Sequence, residues 1–169
     1  GTGRFVLTYE PQEHLKYFLS ISNGYRAGGY NTGVATNVEA FDPEFVLTYE
    51  LGMKSQWLDK RLLLNMTYFF TRYTDIQSTD IVNTSQVVTN IPEAFIQGLE
   101  VEVTASLYDG WDLIINAAYM DSQLQGARAL DAQAPPSSSV DVTGNELWAT
   151  PEFSYSLALQ NTAQVNGWG

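Results

Sequence analysis

Residues 44–73 read EFVLTYELGMKSQWLDKRLLLNMTYFFTRY. In the first half, Leu47, Tyr49, Leu51, Met53 and Trp57 share one parity, while Val46, Thr48, Glu50, Gly52, Lys54 and Gln56 take the other. After LDKR at 58–61 the alternation resumes with Leu62, Leu64, Met66, Tyr68 and Phe70 on one face. Period two is the mark of a strand with one face in an apolar medium. Two such runs joined by a short polar break form a hairpin.

The same alternation extends in both directions. In IQGLEVEVTASL (96–107), Leu99, Val101, Val103, Ala105 and Leu107 oppose Gly98, Glu100, Glu102, Thr104 and Ser106. Trp111, Leu113, Ile115, Ala117 and Tyr119 form the next apolar face, and Phe153, Tyr155, Leu157 and Leu159 the last. Seven strands are predicted, at about 4–10, 14–25, 44–58, 61–77, 93–108, 111–122 and 151–165. Ordinary strands have about 5–6 residues, and several of these have twice that.

The connections sort themselves. Short ones fall at 10–13, 58–61, 108–111 and 165–168; long ones fall at about 26–43, 78–93 and 122–150. Strict alternation puts every short turn at one end of an up-and-down meander and every long loop at the other, as in an outer-membrane barrel. Tyr9, Tyr17, Trp57, Tyr108, Trp111 and Trp168 gather towards the short-turn end. Tyr25, Tyr49, Phe70, Tyr73 and Tyr119 lie towards the other. Two aromatic belts around an aliphatic band fit a membrane, with Tyr49, Trp57, Tyr108, Trp111 and Tyr119 as belt residues. A soluble β domain is the alternative, and it requires those apolar faces to be buried against protein.

Composition narrows the function. The 169 residues carry 8 Lys and Arg against 19 Asp and Glu, a net charge of −11, which argues against a nucleic-acid backbone as partner. Cysteine is absent, so there are no disulfides, thiolate metal sites or cysteine nucleophiles. GTGRFVLTYE has no signal-peptide features, and no apolar run approaches the roughly 20 residues of a spanning helix. His14 is the lone histidine, so no multi-histidine metal site forms, and no cofactor is expected. No catalytic constellation is evident, and the chain is not read as an enzyme. Glu50, Lys54, Glu100 and Glu102 project to the polar face, as the lining of a hydrated lumen, with Arg4 and Lys54 available to the carboxylates. Asp75 and Asp80 at the long-loop end offer oxygen ligands, but solvated strand exits account for them.

NGYRAGGYN (23–31) closes a serine-rich strand, YFLSIS, without a tight turn. Its glycines permit positive φ and close backbone approach. No Lys-Ser or Lys-Thr follows them, which excludes a phosphate loop. YFLSISNGYRAGGYN, then FDPEFVLTYELGMKSQWLDKRLLLNMTYFFTRYTDIQ, then IQGLEVEVTASLYDGWDL together resemble the C-terminal barrel of TonB-dependent outer-membrane receptors of the iron-complex type. The shared features, in order, are the Gly-Tyr-Arg-x-Gly-Gly loop, Pro-Glu, Tyr-Glu-Leu-Gly-x-Lys, Trp-Leu-Asp, Tyr-x-Asp-Ile-Gln and Gly-Leu-Glu, and they run over residues 4–169.

The resemblance implies an all-β fold. Residues 1–169 are expected to form part of a transmembrane barrel, with periplasmic turns, extracellular loops and an antiparallel meander of about seven strands. Such transporters have about 22 strands around a plug, so the plug, the energy-coupling box and the terminal strands are expected outside this chain. The implied function is import of a scarce nutrient across a Gram-negative outer membrane, foremost a ferric siderophore, powered through the TonB complex. Outer-membrane lipid and lipopolysaccharide are further partners. Arg26, Tyr30, Asn31, Tyr73, Asp75 and Gln77 stand at the extracellular mouth as ligand-contact candidates. Tyr25 and Tyr30 are placed near the outer belt, and 126–147 is read as a Pro/Ser-rich extracellular loop. A small structural or adhesion barrel without transport is the competing function.

Overall fold

Alternating sequence becomes a single antiparallel sheet. The computed structural model describes residues 1–32, 39–82, 85–130 and 139–162. In chain order its strands are β1 (Gly3–Gln12), β2 (Leu15–Arg26), β3 (Gly29–Tyr30), β4 (Ala40–Phe41), β5 (Glu44–Trp57) and β6 (Leu62–Val82), followed by β7 (Ser85–Tyr108), β8 (Trp111–Gln125), β9 (Arg128–Leu130), β10 (Ser139–Asp141) and β11 (Phe153–Asn161). The seven long strands pair in the order β1-β2-β5-β6-β7-β8-β11, while β3 with β4 and β9 with β10 form small ribbons within the long loops. The sheet is the predicted meander. The short turn expected at 165–168 lies outside the described residues.

One boundary differs from expectation. The segment 78–93, read as a loop, is instead the upper half of a hairpin in which Ile76 to Val82 pair with Ile91 to Ser85. Only at Pro92 is the ladder interrupted; Asp75 opposite has φ of 55°, and Asn90 Nδ2 donates to the Asp75 carbonyl at 2.7 Å. Proline lacks the N–H a ladder needs, so the partner strand turns away and a side chain takes the orphaned carbonyl.

Registers fix the faces. Leu19, Leu51, Tyr68, Leu99, Tyr119 and Phe153 form one cross-sheet row. Leu15, Ser55, Leu64, Val103, Ile115 and Leu157 form another on the same face. Among the described residues no second layer of protein covers this face: Leu51 is 59 % exposed, Leu157 69 % and Tyr155 87 %. A soluble sandwich would bury these side chains against a second sheet. Here they form a continuous apolar surface, of the kind that lipid covers.

The turns also reveal the tilt. The β1–β2 turn meets the row of Ser55, two residues inside Trp57 of the β5–β6 turn. Trp57 shares its row with Leu62, Ala105 and Leu113, and Leu113 lies two residues inside Trp111 of the β7–β8 turn. With these turns at one membrane level, each hairpin steps by two residues, about 6.6 Å, over two strand spacings of about 9.6 Å. That is a tilt of about 35°, at the edge of the range for transmembrane barrels. The polar onset on the outward face climbs in the same sense: Gln97 and Asp121 lie in the Tyr49–Phe70 row, Arg72 and Asn23 one pair higher. Between turn and onset, β8 shows nine residues from Trp111 to Tyr119, and β6 nine from Leu62 to Phe70, matching the roughly 9–11 that cross a bilayer.

At the short-turn end a bulge between Ser106 and Tyr108 pairs Tyr108 with Trp111, so both rings take the outward face. Arg61 stitches it to the adjacent turn, its guanidinium donating to the carbonyls of Ser106 at 2.9 Å and Leu107 at 2.8 Å. Tyr49, Trp57 and Tyr119 share that face.

Candidate functional site

Opposite the apolar face lies the polar one, and the residues expected to line a lumen share it. Lys54, Asn65, Glu102 and Asn116 form one row, and Gly52, Thr67, Glu100 and Ala118 the next. Arg4 donates to Glu50 at 3.4 Å and to the Ser20 hydroxyl at 3.1 Å. Asn65 donates to Glu102 at 3.1 Å. Two aromatics that the alternation does not single out also occupy this face. The Phe18 ring lies over Gly52 and the Phe69 ring over Gly98, each glycine leaving room for a ring pressed against the sheet. Their sequence signal is a mid-strand glycine beside a polar-face phenylalanine.

The long-loop end is built by side-chain staples between segments remote in sequence. Asn31 imitates a strand residue: its Nδ2 donates to the Val88 carbonyl at 2.9 Å, and the Val88 N–H donates to its Oδ1 at 2.8 Å. Gln77 receives the loop from below, Nε2 donating to the carbonyls of Ala27 at 2.9 Å and Asp42 at 3.1 Å, while its backbone N–H donates to Glu44 at 2.8 Å. Asn90 accepts from the Asp42 N–H at 2.8 Å and returns a bond to the Asp42 carbonyl at 3.0 Å. Asp42, Glu44 and Asn90 were not among the sequence candidates, because nothing local marks a residue as a staple.

This architecture assigns NGYRAGGYN. A Cβ at Gly28 would stand 2.5 Å from the Phe41 carbonyl oxygen, and one at Gly29 would stand 2.7 Å from the Phe41 ring. The two glycines provide close approach of segments; neither is among the positive-φ glycines. The loop is thus folded against β4 and the β6–β7 hairpin. The six mouth candidates divide accordingly. Asn31 and Gln77 are buried and hydrogen-bonded within the chain. Asp75 gives its carbonyl to Asn90, and Tyr73 packs half-buried beside a small core. Arg26 and Tyr30 face solvent, Tyr30 at 69 % exposure.

That small core consists of Ile76, Ala94, Leu124, Ala127 and Leu147, where the end of the β8–β11 loop folds back. Leu124 N–H donates to the Asn145 carbonyl at 2.9 Å and Gly144 N–H to the Leu124 carbonyl at 2.8 Å. Ser122 Oγ receives the Leu147 N–H at 3.1 Å. Asp141 at the tip of β10 is held below the usual carboxylate range by hydrogen bonds from the Thr143 hydroxyl and backbone N–H. Of the expected extracellular loop 126–147, residues 131–138 lie outside the described part, and the rest is anchored on β8. Among the described residues no group of three or more acidic or histidine side chains converges to hold a metal ion.

Comparison with known proteins places this architecture. The family described as TonB dependent receptor-like, beta-barrel matches residues 1–169. A probable TonB-dependent siderophore receptor, PiuA of Acinetobacter baumannii, is 27% identical over 70% of this chain and 16% of its own length. The catecholate siderophore receptor Fiu of Escherichia coli is 27% identical over 94% of this chain and 20% of its own. The chain therefore spans about a fifth of the length of the curated relatives it matches. Among solved structures, the ferric yersiniabactin uptake receptor FyuA of Yersinia pestis superposes with a TM-score of 0.75 over 98% of this chain and 23% of that one, at 20% identity. A sequence of seven tilted strands with one lipid-type face, matched along its whole length, belongs to the TonB-dependent receptor β-barrel family of Gram-negative outer membranes.

Proposed function

We propose that the chain is part of the barrel wall of a receptor that imports ferric siderophores, with its plug, energy-coupling box and remaining strands supplied by other parts of a longer protein that engages TonB. The observation that carries the reading is the family match over residues 1–169, joined to curated relatives that are siderophore receptors. In this reading Glu50, Lys54, Glu100 and Glu102 line the lumen. Arg26 and Tyr30 are the ligand-contact candidates at the mouth, since their side chains face solvent. A guanidinium and a phenol suit an anionic, aromatic iron chelate through charge-assisted and ring contacts. Asn31 and Gln77 serve the ligand indirectly by holding the loop in place.

The test is uptake of radioactive iron by cells carrying or lacking the full-length receptor, with a panel of catecholate, hydroxamate and mixed-ligand ferric siderophores. Uptake of at least one that depends on both the receptor and TonB is expected. Unchanged uptake of every chelate in the deleted strain overturns the reading. Arg26→Ala and Tyr30→Ala should each weaken binding about tenfold without reducing the amount of receptor in the membrane.

A further inference from the structure

The end of the β8–β11 loop holds an exposed tryptophan on the inner side of the wall. Its anchor is Ser122, which is buried and shares a row with Thr71 and Ile96 on the polar face of the sheet. Three hydrogen bonds close a ring there. Leu147 N–H donates to Ser122 Oγ at 3.1 Å, the Thr150 hydroxyl donates to the Leu147 carbonyl at 2.6 Å, and the two hydroxyl oxygens lie 3.0 Å apart. Because the Thr150 proton is committed to Leu147, the Ser122 hydroxyl donates to Thr150, and every group in the ring has one role. Two further contacts fix the segment: Leu147 is buried in the small core, and Met120 N–H donates to the Glu152 carbonyl at 2.9 Å. Between these anchors Ala149 takes φ of 60°, and Trp148 is 58 % exposed.

We infer that Trp148 is a ligand platform, held in place by Ser122 and Thr150, that makes the receptor selective for iron chelates carrying aromatic rings. This assignment deepens the siderophore reading and rests on it. A left-handed residue with a Cβ is unfavourable and persists where its surroundings over-determine it, a pattern that accompanies ligand clamps. Here the surroundings are the hydroxyl ring and the core, and the residue that the turn presents is the indole. The other described tryptophans, Trp57 and Trp111, lie on the outward face. Trp148 is attached to the inner one, where lipid gives no reason for an exposed ring. Tyr73 packs against the same core, and Arg26, two residues beyond the Gly24–Val46–Tyr73 row, adds a cation on that face. An indole gains from a planar π partner through offset or edge contacts, beyond simple burial of area. A trihydroxamate chelate has no ring to offer, so it receives only the apolar contact.

The test measures Kd of the purified full-length receptor for two probes, a ferric tris-catecholate and a ferric trihydroxamate of similar size. The unmodified receptor should bind the tris-catecholate about tenfold more tightly or better. Trp148→Ala should weaken tris-catecholate binding about tenfold and trihydroxamate binding by about twofold or less. Trp148→Leu, which keeps apolar area without a ring, should lose as much as Trp148→Ala, whereas Trp148→Phe should keep most of the affinity. Thr150→Val breaks the hydroxyl ring without touching the platform, and should weaken only tris-catecholate binding, by about threefold. Heat-shifted gel mobility reports folding for every variant. Equal losses for both probes, or no loss in Trp148→Ala and Trp148→Leu, overturn the platform and leave the siderophore reading standing. So does an unmodified receptor that prefers the trihydroxamate. A receptor that binds neither probe also overturns the platform, and the uptake panel then decides the siderophore reading separately.

Discussion

A methyl group at Gly98 would stand 2.4 Å from the Tyr119 carbonyl oxygen and 2.8 Å from the tip of the Phe69 ring. At Gly52 the first obstacle is instead the Phe18 ring, at 2.2 Å, with the Met66 carbonyl at 3.1 Å. A ring can swing to another rotamer, but a carbonyl bonded into a ladder moves only with its strand. Gly98→Ala should therefore destabilise the barrel by about 2 kcal/mol, in the range of overpacked cores, and Gly52→Ala by less. Adding Phe18→Ala should relieve Gly52→Ala, whereas Phe69→Ala should leave most of the Gly98→Ala loss in place. The temperature at which the full-length receptor loses its folded gel mobility measures all four. Equal losses at the two glycines would show that ring displacement, not backbone collision, sets the cost.

Among elements, the β2–β5 loop depends on contacts that no local rule announces. Asn31 reaches Val88, 57 residues away, and serves as donor and acceptor at once. Asn31→Ala leaves a backbone N–H and a carbonyl without their partner, a loss of about 1–3 kcal/mol for the local structure. Hydrogen exchange at the Val88 amide should accelerate about tenfold or more, with little change at Val101 deep in the sheet. Unchanged exchange at Val88 would mean that water or a neighbour replaces the staple. The same distance in sequence explains what could be read beforehand. Strands such as 96–107 were legible because lipid imposes one apolar face, and Leu99, Val101 and Val103 obey it. Residues 78–93 were not, because above the bilayer no lipid imposes one apolar face and the loop that covers part of the hairpin is held by polar staples such as Asn31–Val88 and Asn90–Asp42, while Pro92 signals an end to local reading. The six mouth candidates do lie together at the long-loop end, but buried Asn31 and Gln77 could not be told from exposed Arg26 and Tyr30 before their distant partners were known.

For the whole molecule, the decisive property is the contrast between two faces of one sheet. Spin labels at Val101 and Val103 of the full-length receptor in membranes should collide with a lipid-soluble quencher. Labels at Glu100 and Glu102 should not, and the alternation should persist from Leu62 to Phe70 on β6. Protection on both faces would require a protein layer outside the barrel. The β6–β7 hairpin carries the sheet itself beyond the bilayer. From Phe70 to Val82 it continues for twelve residues, roughly 40 Å along the strand and roughly 30 Å above the lipid at a tilt of about 35°. A projection of that length reaches past the headgroups into the zone where other cells and molecules meet the bacterium. The hairpin that anchors the β2–β5 loop is thereby also exposed to the outside. An antibody to residues 86–91 should label intact cells.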